Sequence, residues 1–407
     1  MSKLHSTPRK RMKAALSGEE TKVVPAAPSY MGLYLADQVE RQYLQQYSNQ
    51  AGKGEYQLDH YQDSSFRAEA IKQAYLNSFQ HMPDWIHTTV GPTREWAANT
   101  DLHLTKSGAC YVDNQTGEGT SNNLPGGSVY VTDFLLSTSR PGSEQDVWEQ
   151  SGDLDSIEEA KEQINFQTVE DLESMGIGDL PDLSIDLLGE DYFVYCVIDT
   201  PFSFLYDLLG FRGMMVKTHR RPELVKFLLQ TILEQSIEFI KLFKRVGVNG
   251  VYVEEVFTSA DLISLETYNE FVFHYNQRFL EEIRNIGLQS VLYVCGDIMP
   301  RIAQIGKLNP DAFAFEESKK GFEVDIENVV NELGDSNCIF GNLDAMRFGG
   351  EQATEKEMTE EVRRQIEIGK SAQSFVVSNG SPFPLKTDPR VIDKMIKVAH
   401  KSYSDDR

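Results

Sequence analysis

In the C-terminal half of the chain, short apolar runs recur, and each stops at a cluster of small, acidic or sulfur-bearing residues. Three of them are Val291-Leu292-Tyr293-Val294-Cys295-Gly296-Asp297, Cys338-Ile339-Phe340-Gly341-Asn342-Leu343-Asp344 and Phe375-Val376-Val377-Ser378-Asn379-Gly380-Ser381-Pro382. Strands buried on both faces read as continuous apolar runs, and in a β/α barrel the site lies at their C-terminal ends. The same grammar appears in Tyr192 to Asp199, in Gly250-Val251-Tyr252-Val253-Glu254-Glu255 and in Asp311-Ala312-Phe313-Ala314-Phe315-Glu316-Glu317. Between these runs the spacing predicts helices over Pro222 to Val246, Ser264 to Ile286, Met299 to Leu308, Ile326 to Leu333 and Glu355 to Gly369. Pro222 at the start and Gly247 just past the end of the first of them follow the usual asymmetry of helix termini. Repeated βα units with short connections mean a parallel sheet, and their number favours closure. The expected fold is α/β, a distorted (β/α)8 TIM-type barrel with an acidic rim.

The N-terminal half carries the rest of the ring. Thr7 to Leu16 reads as a basic helix with Thr7 as N-cap and Pro8 at its first position. Val23-Val24-Pro25-Ala26-Ala27-Pro28 reads as the first strand, Phe66 to Phe79 as a helix, and Asp84 to Gly91 as the second strand, while Tyr192 to Asp199 is a strand ending in Thr200-Pro201. From Gly108 to Pro141 the chain turns to Gly, Ser, Thr and Asn with β-type alternation, as in Ser128-Val129-Tyr130-Val131-Thr132, and then runs acidic from Ser143 to Glu173. Residues 101–189 are accordingly expected to be an excursion, hairpin first and helices after, from one barrel spanning residues 1–407.

Composition narrows the class. With 407 residues and 40% hydrophobic positions the chain builds a sizeable core, and 39 Lys plus Arg against 62 Asp plus Glu leave a net charge of −23. Such a field repels polyanions, so nucleic acid is not an expected partner. No run approaches the length needed to span a bilayer, and the basic start lacks an apolar follow-on, so a cytoplasmic protein without membrane contact is expected. The 4 cysteines, Cys110, Cys196, Cys295 and Cys338, are too few and scattered for a disulfide framework.

The strand ends supply the candidate chemistry. Glu254 and Glu255 point in opposite directions along a strand, as do Glu316 and Glu317, so at most one of each pair serves the barrel mouth. Asp297 and Asp344 either line the site or cap the helices that follow. His87 is either a general base or a structural imidazole, and Cys295 either a metal ligand or a buried thiol. The turn Ser378-Asn379-Gly380-Ser381 caps a helix, and its amides also suit an anionic group.

The order Met214-Met215, Arg221-Pro222-Glu223-Leu224-Val225, Tyr293-Val294-Cys295-Gly296-Asp297, Gly341-Asn342-Leu343-Asp344, Gly380-Ser381-Pro382-Phe383-Pro384 and Thr387-Asp388-Pro389 resembles the uroporphyrinogen decarboxylase superfamily. That superfamily holds tetrapyrrole decarboxylases and zinc-dependent, corrinoid-linked methyltransferases on a distorted β/α barrel. The decarboxylase pattern implies an Arg-rich motif after the first strand, an Asp at the second and a late His. This chain has Ser29-Tyr30-Met31-Gly32-Leu33-Tyr34, Ile86-His87-Thr88-Thr89 and Ser381 there, and Tyr206 falls close to the family tyrosine. The methyltransferase pattern implies a zinc site of one His-X-Cys pair and a late Cys, which deprotonates a thiol. Tyr293 stands at the His position and Ser381 at the late Cys, so Cys295 alone remains as a metal ligand. Together these readings point to Glu255, Cys295, Glu317, Asp344, Ser381 and His87 for catalysis, and to Tyr206, Tyr293, Asp297 and Asn379 for substrate contact. Carboxylates converging on one mouth favour a cation, a metal or a corrinoid-bound methyl group over a polycarboxylate. The expected function is methyl transfer between a small substrate and a corrinoid protein or folate, with zinc as the candidate metal and the corrinoid carried by a partner. The alternatives are decarboxylation of a tetrapyrrole or another carboxylated substrate, and a non-catalytic binding subunit.

Overall fold

The computed structural model describes residues 7–29, 31, 56–58, 64–105, 108–116, 119–121, 154–350, 353–384 and 387–402. Its strands are β1 (Tyr56–Leu58), β2 (Trp85–His87), β3 (Thr100–Thr105), β4 (Gly108–Asp113), β5 (Gly119–Ser121), β6 (Phe193–Asp199), β7 (Gly250–Glu255), β8 (Gln289–Val294), β9 (Ala312–Phe315), β10 (Cys338–Phe340) and β11 (Ser374–Val376). Seven of them form one sheet in the order β11-β10-β9-β8-β7-β6-β2. Every ladder in it is parallel, with helices packed on the outside, as the βα repeats predict.

Residues 24–28 turn this sheet into a ring. The Ala27 amide donates to the Val377 carbonyl and the Val377 amide to the Pro25 carbonyl, both at 2.9 Å, while on the other side the Asp84 amide donates to the Ala26 carbonyl at 2.8 Å. The segment therefore stands between β11 and β2 as an eighth stave. Pro25 and Pro28 have no N–H to give to either neighbour, so the pairing is confined to a bridge at Ala26 instead of a full ladder.

Alternation along the strands divides the core in two. Trp85, Phe193, Tyr195, Tyr252, Val291, Tyr293, Ala312, Ala314, Cys338, Phe340 and Val376 fill the barrel interior, whereas the intervening residues join the larger layer between strands and helices. The filling is unusually aromatic. Trp85 stacks on Tyr195 with centroids 4.0 Å apart, Tyr252 stacks on Tyr293 at 5.5 Å, and Phe340 tilts against Trp85 at 5.2 Å. Ala312 and Ala314 on β9 leave room for these rings, and Phe313 and Phe315 of the same strand face outward. Met12, Ala15 and Leu16 of the first helix, Pro8–Leu16, belong to the interior group, so this helix plugs the N-terminal end of the barrel.

Asp84 fastens that end. It is fully buried, and its carboxylate accepts the Ala26 amide at 2.8 Å, Arg11 Nε at 2.7 Å and His400 Nε2 at 2.8 Å. The plug helix, the eighth stave and the last helix, Pro389–Lys401, thus meet on one side chain.

Other elements depart from the sequence expectation for identifiable reasons. Thr200-Pro201 is not only a strand exit; Thr200 is the N-cap of a 20-residue helix, Pro201–Arg220, bent at Gly210 with φ 66° and ψ 164°. The expected helix from Ser264 to Ile286 contains a π turn at Asn269–Phe273, which lets three consecutive residues, Phe271, Val272 and Phe273, all be buried. The expected helix from Met299 to Leu308 breaks into 3-10, α and 3-10 turns, with Pro300 in its first turn and Gly306 opening its last. Between β2 and β6 stand helices and the strands β3, β4 and β5, which form an antiparallel sheet with β1, from ahead of β2, in the order β1-β3-β4-β5. The hairpin expected around Ser128 to Thr132 lies outside the described residues.

Removing the carboxylate of Asp84 strands a part-buried guanidinium and a buried amide, so Asp84→Ala is expected to lower the unfolding free energy by about 3 kcal/mol. Arg11→Ala costs less because the Arg11 side chain is 15% exposed. Urea titrations of the two variants at constant m-value give the comparison, and equal losses would mean that Asp84 does not hold the three elements together.

Candidate active site at the barrel mouth

Each interior strand continues its inward alternation to the C-terminal mouth. Following Tyr195 and Val197 on β6 the next inward position is Asp199; following Tyr252 on β7 it is Glu254; beyond Tyr293 on β8 it is Cys295; beyond Ala314 on β9 it is Glu316. Asp199 and Glu254 are register partners. The amides of Cys295 and Glu316 continue the ladder, donating to the carbonyls of Glu255 at 3.1 Å and Val294 at 3.4 Å. Three carboxyls and a thiol therefore share one layer of the wall.

The environment of Asp199, Cys295 and Glu316 favours their protonated forms. Burial, then the charge of Glu254 and a hydrogen bond to it, holds the Asp199 carboxyl well above the usual range. Burial likewise pushes the Cys295 thiol well up; a hydrogen bond with Tyr293 opposes this, while Glu316, Glu254 and Asp199 reinforce it. Glu316 is raised by burial, against the Gly296 amide that donates to it at 2.9 Å.

Next to this layer, Tyr293 Oη donates to the Gly380 carbonyl at 2.6 Å, and Ser381 Oγ donates to Glu317 at 2.6 Å. Lys319 pairs with Glu317 and stands 3.8 Å from Glu316. Gly380 is required where the chain crosses Glu317, since a Cβ there would lie 2.4 Å from the Glu317 amide nitrogen. Tyr293, Cys295, Glu317 and Ser381 are thus brought together, and Glu316 completes the group.

The remaining candidates stand elsewhere. Glu255 faces outward, fully buried, accepting Asn276 Nδ2 at 2.6 Å and Thr258 Oγ1 at 2.7 Å beneath the helical layer. It belongs to the outer alternation of β7, so the inward member of the pair is Glu254. Asp344 caps the helix Ala345–Gly349, accepting the Arg347 amide at 2.9 Å. It also lines a groove of about 270 Å³ between the β9 and β10 connections, which Glu317 lines as well. Asn379 is buried as a strut, accepting the Ser29 amide at 2.9 Å and donating to the Ser381 carbonyl at 2.7 Å. Asp297 follows the Gly296 turn after β8, and its carbonyl accepts the Ala260 amide. Tyr206 is half-buried and stacks at 4.9 Å on Phe257, a non-glycine residue held at φ 63° just after β7. A bulky residue in that conformation is strained, and such outliers concentrate at functional sites. His87 stacks on Tyr195 at 5.1 Å, and burial lowers its imidazole to about 4.

The donor set does not fit zinc. The hydroxyls of Tyr293 and Ser381 donate to protein oxygens, and no three His, Cys, Asp or Glu side chains among the described residues are grouped to hold a metal ion. Asp199, Glu254 and Glu316 went unselected in the sequence reading. The usable signal was parity: two positions back from Glu254 and Glu316 stand Tyr252 and Ala314, but continuous apolar strands do not reveal which parity faces inward.

Comparison with known proteins bears on this geometry. The uroporphyrinogen decarboxylase (URO-D) family model matches residues 183–402. The methylated-thiol–coenzyme M methyltransferase of Methanosarcina mazei is 25% identical over 150 residues, 37% of this chain and 38% of that protein. The uroporphyrinogen decarboxylase of Rhodococcus erythropolis is 24% identical over 186 residues, 45% and 50% of the two chains. The methylcobamide:CoM methyltransferase MtbA of Methanosarcina acetivorans is 21% identical over 183 residues, 44% and 50%. The chain thus spans half or less of the length of these curated relatives. A solved methyltransferase from Methanosarcina mazei superposes with TM-score 0.61 at 13% identity, covering 98% of this chain and 99% of that one, which shows the shared fold.

Burial of a neutral His87 carries a pH signature. The unfolded chain binds its proton from about pH 6.5 downward and the folded chain only near 4, so folded stability is lost as pH falls through that window, on the order of 3 kcal/mol in all. His87→Phe keeps a ring against Tyr195 and removes the titration. Denaturant unfolding at pH 7 and pH 4.5 should show a loss smaller by ~2 kcal/mol in the variant; parallel losses would assign the acid sensitivity to other groups.

Proposed function

The chain belongs to the uroporphyrinogen decarboxylase family, and on that premise we propose that its barrel mouth transfers a methyl group between a small substrate and a corrinoid carried by a partner protein, or folate. The observation that carries this reading is the make-up of the wall. At the top inward positions of β6 to β9 stand Asp199, Glu254, Cys295 and Glu316, and the nearby cation Lys319 is engaged by Glu317. A substrate with many carboxylates needs guanidinium forks, and this layer presents carboxyls and a thiol in their place. A neutral or cationic methyl donor is suited to it. Zinc has no part in the proposal, because the donor set lacks the ligands it prefers.

Within this reading the wall has two tasks. Tyr195, Tyr252 and Tyr293 seal the floor and keep water from entering from below. The carboxyl layer above sets the charge and proton supply at the reacting atoms. The relatives on the decarboxylase branch support a second reading, removal of a carboxyl group from a smaller acid, which predicts substrate anions bound beside the same layer.

Anaerobic assays separate the readings. Purified protein should move a methyl group between free cobalamin and at least one of coenzyme M, tetrahydrofolate or a panel of simple methyl donors, read by the visible spectrum of the cobalamin. Glu254→Gln should slow that transfer by roughly 100-fold. Uroporphyrinogen turnover without methyl movement would overturn methyl transfer in favour of decarboxylation, and tight association with a partner without either would favour a binding subunit.

A further inference from the structure

The positions where a metal would activate a thiol are filled by Tyr293 and Ser381, yet the wall beside them holds another kind of acid. Asp199 and Glu254 are partners in the parallel ladder of β6 and β7, both facing inward, so their carboxyls stand side by side at one level of the wall, where burial and the charge of Glu254 raise Asp199. Two bare carboxylates so placed repel, which favours a proton held by the pair. The backbone beneath them is tied down. The Thr200 amide donates to the Glu254 carbonyl at 2.8 Å, and Ser203 Oγ, which accepts the Val256 amide at 2.9 Å, lies 3.3 Å from the Glu254 carbonyl. The titratable groups facing the pair are Tyr195 below, Cys295 on the next strand and Glu316 beyond it.

Resting on the methyl-transfer reading above, we propose that the Asp199–Glu254 pair is a Brønsted acid that delivers its shared proton to the leaving atom of a methyl donor. The substrate class that follows is a methyl compound whose leaving atom would otherwise depart as an anion, a methyl ether being the clearest case. The methyl–oxygen bond breaks and its electron pair stays on oxygen, which takes the proton of the pair. The electron pair that takes the methyl carbon would be supplied by the reduced corrinoid of the partner acting as nucleophile. Both carboxyls are then ionised, and one regains a proton from solvent. A general acid replaces the Lewis acid that the altered ligand positions no longer supply.

The test joins a spectroscopic and a kinetic reading of wild type, Asp199→Asn and Glu254→Gln, each first checked for folding by circular dichroism. Infrared difference spectra at pH 7 should show the carbonyl stretch of a protonated carboxyl in the wild type and its loss in both variants. With free cob(I)alamin as acceptor, 2-methoxyphenol as the ether probe and tetramethylammonium as a donor that leaves without a proton, the ratio of ether to ammonium turnover should fall by roughly 100-fold in the variants. The wild-type ether rate should decline as pH rises and the pair loses its proton. Absence of the protonated-carboxyl band, or variants that keep both the ratio and the pH profile, would overturn the proposal while leaving methyl transfer standing. A wild type that accepts a methyl group from neither donor, nor from any other in the panel, would overturn the methyl-transfer reading itself, and this inference with it.

Discussion

The carboxylate of Asp84 is the joint on which the ring depends. A barrel of parallel strands has no edge only if its first and last staves meet, and here the meeting stave contains two prolines that cannot contribute amide donors. The lost ladder bonds are offset by a buried side chain. Asp84 holds the Ala26 amide, Arg11 on the plug helix and His400 on the last helix, and the indole of Trp85 reaches the Pro28 carbonyl at 2.8 Å. The closure is ionic and local where the rest of the ring is a repeated backbone pattern. The interior aromatic stack, and through it the height at which the inward carboxyls emerge, rests on that closure.

Much of the architecture was legible in the chain because buried parallel strands announce themselves as apolar runs with abrupt ends. The runs at Tyr192, Gly250, Val291, Asp311, Cys338 and Phe375 each became a strand of the ring. Legibility failed where one residue type serves two structures. Pro201 reads equally as a strand exit and as the first residue of a helix, and Gly210 within that helix dilutes its pattern. The π turn at Asn269–Phe273 is invisible to a search for a 3.6-residue period, because it exists to bury residues that such a period would expose.

The site was harder to read than the fold for a related reason. In a strand that is apolar on both faces, alternation separates Glu254 from Glu255 without saying which of them faces inward. Only the ring itself supplies that, by placing Tyr252 inside and Val253 outside. Asp344 and Asn379 illustrate the other difficulty: polar residues at strand ends also serve as caps and struts, and the motif Gly341-Asn342-Leu343-Asp344 spends its aspartate on the helix that follows. The acidic layer, by contrast, accords with the acidic rim that the carboxylates at the strand ends led one to expect.

The plug formed by Met12, Ala15 and Leu16 closes the N-terminal end of the barrel. Whatever reaches the acidic layer from the C-terminal mouth cannot pass out through the plugged end. A large partner that seats itself over that opening therefore imposes an order on events: the small molecule has to be inside before the partner arrives, and cannot depart until the partner lifts away. On that reading the barrel would work by turns, with its pace set at the threshold as much as at the reacting atoms.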